Sequence, residues 1–188
     1  KDPYAASKAA VEFLVASWPI REDINIATAR SGNVIGGGDF SENRLLPDLL
    51  RGISQNHLVE IRNPESIRPW QYVLDPLVGY LLIGNKIFSG GRINNAYNFG
   101  PPDESFVSVL EFVHKLNSIE HIEYTINNKV SGHESRVLKL DSSLAFTDLG
   151  WLSITELDQA LNFCLQLNQE ELSSENVTSH INSYLGST

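Results

Sequence analysis

The feature that most narrows the fold is an alternation. Short β-branched runs, such as "INIATAR" at 24–30 and "VEI" at 59–61, are separated by longer stretches with apolar residues at helical spacing. Strand and helix taking turns argue for an α/β architecture with parallel strands, because each crossover returns the chain to the same end of the sheet. Helix starts carry an Asp-Pro signal, a capping carboxylate followed by a residue whose missing N–H costs nothing there. Asp2-Pro3 predicts an alanine-rich helix to Trp18, and Asp75-Pro76 an apolar helix to Phe88. Further helices are expected over 45–55 and 105–117, from a cap at Asp141 to a stop at Gly150, and around Leu157, Ala160, Leu161, Cys164 and Leu165. A last helix with a frayed end is expected in the polar tail after Asn168. Extended segments are expected at 68–73, 97–99, 122–126 and 137–140, and a loop at 31–44, which holds four glycines.

Composition limits the partners. With 188 residues, 41% of them hydrophobic, the chain can bury one domain, or one domain and part of another. A net charge of −9 excludes a broad basic surface, so no nucleic-acid partner is expected; a small anion can still be held where arginines converge. No run of about 18 apolar residues occurs, so no membrane span or membrane partner is expected. No secretory leader is read, and one cysteine allows no internal disulfide, which together suit a cytoplasmic location. Cys164 falls in an apolar helical pattern and reads as a buried, inert thiol. The sequon Asn176-Val177-Thr178 is read as chance. The five histidines lack ligand spacing, so no metal is expected.

The chemistry begins with "DPYAASK". Tyr4 and Lys8, four apart on a helix, share a face. A free tyrosine has a pKa near 10 and is a poor base at neutral pH; a nearby ammonium favours the phenolate. Bringing it to about 7 takes roughly 4 kcal/mol of differential stabilisation. Such a tyrosinate can take a hydroxyl proton while hydride leaves the same carbon. The spacing alone is common in helices and gains meaning only from context. "GNVIGGG" lacks the Lys-Ser/Thr of a phosphate-binding P-loop and does not fit the dinucleotide fingerprint; locally it reads as a turn lining a ligand.

The context is a series of motifs in order. "DPYAASKAAVE" resembles the catalytic helix of the extended short-chain dehydrogenase/reductase superfamily, and "ARSGNVIGGGDF" the segment after its next strand. "NRLLPDLLRG", "IRNPESIRPWQYVLDPLVGYL", "YNFGP" and "HESRVLKLDSSLAFTDLGW" follow. Together, up to about Trp151, they resemble the CDP-glucose 4,6-dehydratase branch. That branch is marked by "GNVIGGGD", where other relatives carry tyrosine-glycine-proline in place of Ile35-Gly36-Gly37.

The resemblance implies a fold: the C-terminal part of a Rossmann-like doubly wound parallel sheet plus a smaller mixed α/β substrate-binding domain. Residues 1–34 would close the nucleotide-binding domain. Residues 35–188 would form mainly the sugar-nucleotide domain, with some segments returning to the Rossmann sheet. It implies NAD as cofactor and conversion of CDP-D-glucose to CDP-4-dehydro-6-deoxy-D-glucose by oxidation at C4, loss of water across C5 and C6, and reduction at C6, a lyase reaction serving deoxysugar and surface-polysaccharide (O-antigen) synthesis. Tyr4 and Lys8 are implied as catalytic and, with Arg30 and Val34, as cofactor-binding. Asn33, Arg44, Arg62, Arg68, Trp70 and His133 are implied as substrate-binding. The family's glycine-rich NAD turn and its acid/base group for dehydration precede the tyrosine. The sequence is therefore expected to open in mid-domain and to be inactive by itself. Two other readings stay open: a non-catalytic sugar-nucleotide-binding fragment, or another nucleotide-sugar 4-epimerase or dehydratase. A homo-oligomer, dimer or tetramer, is also implied.

Overall fold

The computed structural model describes residues 2–18, 24–127, 136–169 and 173–186. Helix α1 (Pro3–Ala16) starts as the Asp-Pro signal predicts: Asp2 Oδ1 accepts from the N–H groups of Tyr4 at 3.0 Å and Ala5 at 3.2 Å. None of its residues is buried. Strands β1 (Thr28–Ser31) and β2 (Asn33–Ile35) follow, then α2 (Leu45–Gln55), β3 (Val59–Arg62), β4 (Ile67–Tyr72) and α3 (Leu74–Phe88). The chain continues through β5 (Ala96–Phe99), a 3₁₀ turn at Asp103–Ser105, β6 (Phe106–Ser108), α4 (Val109–Ile119) and β7 (Tyr124–Asn127). Helices α5 (Ser143–Leu149), α6 (Leu157–Gln169) and α7 (Ser174–Leu185) complete it.

Among the described residues the strands form three small sheets. β1 pairs with β5 and β3 with β7, both parallel, while β4 pairs in parallel with β2 and antiparallel with β6. The register sets Asn33 beside Trp70. β2 can lie so close to β4 because residue 32 is glycine: a Cβ there would stand 2.3 Å from the Pro69 carbonyl oxygen.

Among the described residues two apolar cores hold these elements. The larger packs α2, α4 and α6 on the strands, with Leu49, Ile61, Phe112, Val113, Leu116, Leu161 and Cys164 all sealed from solvent. Each such large side chain contributes about 1.5–3 kcal/mol. Burial pushes the Cys164 thiol up to about 12, so it is the inert group expected. The smaller core joins Ile83, Tyr97, Phe99, Ala145 and Trp151, with Trp151 edge-on to Phe99 at 4.9 Å. At its rim Asp148 accepts from Lys86 Nζ at 2.6 Å, from the Tyr97 hydroxyl and from Asn94 Nδ2 at 3.2 Å. These hydrogen bonds, Lys86's foremost, hold its carboxyl below the usual carboxylate range.

The structure departs from the sequence reading at several points. The first strand runs later than 24–30, and the glycine loop contains β2, whose ladder to β4 no local pattern reveals. Asp75 is not a cap: α3 begins at Leu74, and the Asp75 carboxylate is fully buried. It accepts from Ser153 Oγ at 2.6 Å, Tyr184 OH at 2.9 Å, and Thr155 Oγ1 at 3.0 Å and N–H at 3.3 Å. Its carbonyl accepts from Trp151 Nε1 at 2.9 Å. The fourth helix starts at Val109 rather than at 105, because Ser108 and Glu111 form a reciprocal capping box. Residues 137–140 show an isolated bridge, Ile67 to Val137, instead of a strand.

Candidate active site

A cavity of about 790 Å³ opens among α1, β2, α2, β3 and β4. Each wall follows from a local pattern. On β3 burial alternates, so Ile61 enters the core while Glu60 and Arg62 share the other face. Strand β2, between Gly32 and Gly36, supplies Asn33 and Val34, and the chain entering α2 supplies Asp39, Asn43 and Arg44. Gly37 does not line it: a Cβ there would come 2.2 Å from that of Leu167, so this glycine serves packing against α6.

Tyr4 lines the cavity and is 70% exposed. Lys8 does not line it, but its Nζ lies 5.6 Å from the centre of the Tyr4 ring, on the shared helix face that the spacing predicts. With Val34, which is also exposed and lines the same cavity, they present a hydroxyl, an ammonium and a small apolar surface. That donor set fits the nicotinamide-ribose end of a dinucleotide.

Of the arginines, Arg44 and Arg62 are exposed and line the cavity; Arg68 lines it while 95% buried, relative exposure being 5%, and donates from Nη1 to the Ile67 carbonyl at 2.8 Å. Asp39 lies beside Arg44. Hydrogen bonds from Ser41, with help from the Arg44 and Arg51 charges, hold its carboxyl below the usual range. Arg51, on α2, is half-buried. It braces this loop through the carbonyls of Phe40 at 3.1 Å and Ser41 at 3.3 Å and pairs with Asp48. Trp70 lines the cavity, yet it belongs to the core: its Nε1 donates to the Val107 carbonyl at 3.2 Å and its ring lies 4.2 Å from Phe112.

Arg30 stands apart from the other expected residues. It does not line the cavity; Nε and Nη2 donate to Glu12 of α1 at 2.8 and 2.5 Å, and Nη1 to Asn98 at 3.2 Å. The pairing raises the Arg30 pKa and lowers that of Glu12. The arginine thus fastens α1 to the β1–β5 pair, a role its sequence neighbours do not signal. His133 lies outside the described residues. Glu60 and Asp39, absent from the sequence reading, join the cavity wall; the alternation in "VEIR" was the available signal for Glu60. Among the described residues no cluster of His, Cys, Asp and Glu could hold a metal ion, and no helix is long and apolar enough to cross a membrane.

The family model described as "NAD dependent epimerase/dehydratase family" matches residues 1–100. The chain belongs to that family. Within this epimerase/dehydratase family, CDP-glucose 4,6-dehydratase of Salmonella typhimurium is 38% identical over 162 residues, which are 80% of this chain and 45% of that protein. dTDP-glucose 4,6-dehydratase of Haemophilus influenzae is 28% identical over 174 residues, 85% of this chain and 49% of that protein. The chain thus spans about half the length of the curated relatives it matches. A solved UDP-glucose-4-epimerase from Stenotrophomonas maltophila, with bound NAD and formylated UDP-arabinopyranose, shares the fold at a TM-score of 0.76. It is 20% identical, and the match covers 90% of this chain and 55% of that one. The α/β class with parallel pairs is the Rossmann-like architecture expected from the sequence.

Proposed function

We infer that these residues belong to an NAD-dependent CDP-D-glucose 4,6-dehydratase and form its substrate-holding part with the tyrosine that handles the C4 hydroxyl. One observation carries the reading: a single cavity is lined by Tyr4, Asn33 and the guanidinium-bearing residues Arg44, Arg62 and Arg68. Arginine's planar fork suits a diphosphate, and each charge-assisted hydrogen bond contributes about 1.5–3 kcal/mol. The 38% identity to the Salmonella enzyme favours CDP-glucose over other nucleotide sugars.

NAD, when bound, supplies the acceptor and donor of hydride. The protein's own residues do the rest. Tyr4 takes the proton of the sugar 4-hydroxyl as C4 is oxidised, and Lys8 supports the phenolate. Lys8 and Val34 would hold the nicotinamide end of the cofactor, Asn33 orients the sugar, and the arginines fix the diphosphate so that C4 stays at Tyr4. Loss of water across C5 and C6 and reduction at C6 then give CDP-4-dehydro-6-deoxy-D-glucose and water, a deoxysugar precursor for surface polysaccharide made in the cytoplasm. Residues 1–34 complete the nucleotide-binding domain and 35–188 form mainly the substrate domain; the second core, which gathers Tyr97, Phe99 and Trp151 near β1, supports the return of later segments to that sheet. The protein acts as a homo-oligomer, and residues 1–188 produced alone do not turn over substrate.

The test is Tyr4→Phe made in the longer protein that contains these residues, read by CDP-glucose titration and by turnover with NAD present. Turnover is expected to fall about 10²–10⁴-fold with binding nearly unchanged. Undiminished turnover, or no binding of nucleotide sugar by the parent protein, overturns the reading.

A further inference from the structure

Arginines explain an anion in the cavity; they do not explain Glu60. This residue is exposed, lines the cavity and shares the face of β3 with Arg62. A carboxylate there repels a phosphate, so a ligand benefits from it only by bringing a hydrogen-bond donor. The other wall carboxylates serve the chain itself: Asp39 accepts from the Ser41 N–H at 2.9 Å, and Asp48 pairs with Arg51. Glu60 is held by an amide across the β3–β7 pair, Asn127 Nδ2 donating to Oε1 at 2.9 Å. That contact orients the group and uses a fraction of its acceptor capacity, which is about four hydrogen bonds for an ionised carboxylate.

Tyr4 reaches the cavity from α1, and Glu60 and Arg62 from one face of β3. A diphosphate held at Arg62 therefore leaves the nucleoside attached to it near Glu60. Resting on the nucleotide-sugar reading above, we propose that Glu60 determines base specificity by accepting a hydrogen bond from the exocyclic 4-amino group of cytosine. Uracil and thymine present a carbonyl oxygen at that position. It would meet the carboxylate lone pair to lone pair, so one contact both rewards cytosine and rejects the other pyrimidines. The expected discrimination is about tenfold or more.

The experiment is calorimetric titration of the protein, Glu60→Ala and Glu60→Gln with CDP-glucose and UDP-glucose, with circular dichroism as the folding control. The parent protein is expected to prefer CDP-glucose about tenfold or more. Glu60→Ala should remove most of that preference by weakening CDP-glucose alone. Glu60→Gln, whose amide can turn its NH₂ toward a uracil oxygen, should narrow or reverse it. On the unmutated protein, N4,N4-dimethyl-CMP should compete about tenfold less well than CMP, which needs no variant to fold. A preference for CDP-glucose that both variants retain overturns the role of Glu60 and leaves the nucleotide-sugar reading standing. Equal binding of both sugars by the parent protein overturns the proposal while nucleotide-sugar binding survives. Binding of neither overturns that reading and the proposal with it.

Discussion

The two cores of this molecule are built from the same kinds of element and end in different states. Around β4, the helices α2, α4 and α6 bury Leu49, Phe112 and Leu161 completely. Around the β1–β5 pair, α1 buries no residue, and α3 leaves Leu77, Leu81 and Phe88 exposed, Phe88 at 93%. Parallel strands are ordinarily covered on both faces. Strand β4 meets that condition, buried over all but its first residue, and the β1 strand, among the described residues, does not. The difference separates two tasks. Arg44, Arg62 and Arg68, proposed above to grip a diphosphate, sit on the first side, whereas Tyr4 and Lys8 ride on α1, which buries no residue. What fixes α1 is polar instead: the Asp2 cap at one end and the Glu12–Arg30 pair near the other.

The contrast can be broken by mutation. Phe112→Ala should lower stability by about 3–5 kcal/mol, as expected for emptying a closed core. Phe88→Ala should change it by no more than about 0.5 kcal/mol. Urea unfolding of both variants decides, and a comparable loss from Phe88→Ala would mean that the α3 face is covered after all. A smaller effect sharpens the picture at the rim of the second core. The Asp148 carboxyl is held low by Lys86 and Tyr97 in the folded state, so its contribution is fully present above the unfolded carboxylate value of about 4. It is lost as pH falls through the lower folded value. Melting temperatures from pH 7 down to about 3 should therefore drop less for Asp148→Asn than for the parent protein. With both side chains of the Lys86–Asp148 pair about one-quarter exposed, the difference should be under about 1 kcal/mol. Parallel melting curves would remove Asp148 from the account of what holds that region.

Much of this architecture can be read from local sequence where the signal is itself local. Helix α2 occupies the predicted 45–55, because apolar spacing and the left-handed Asn56 after it act within a turn or two. Asp2-Pro3 works for the same reason. The failures have a common cause, which is that the partner lies far along the chain. β2 hides in a glycine stretch because its ladder runs to residues 70–72. Arg30 looks like part of a ligand-lining segment until Glu12 claims it. Asp75-Pro76 repeats the motif of Asp2-Pro3, yet here the carboxylate turns away from its own helix. Within the cavity wall, Tyr4, Asn33, Val34, Arg44, Arg62, Arg68 and Trp70 were all named from motif order, and Glu60 was not: the alternation in "VEIR" puts it on the face of Arg62 without marking what that face meets.

The Asp75 carboxylate draws its donors from Ser153, Thr155 and Tyr184, between 78 and 109 residues downstream. During synthesis, then, the strand-to-helix joint after β4 emerges from the ribosome long before the groups that neutralise its burial. A charged group cannot be sealed into hydrocarbon unaccompanied without a penalty of several kcal/mol. Until Tyr184 has left the exit tunnel, this joint must stay wet, and the closure of the larger core waits on α7.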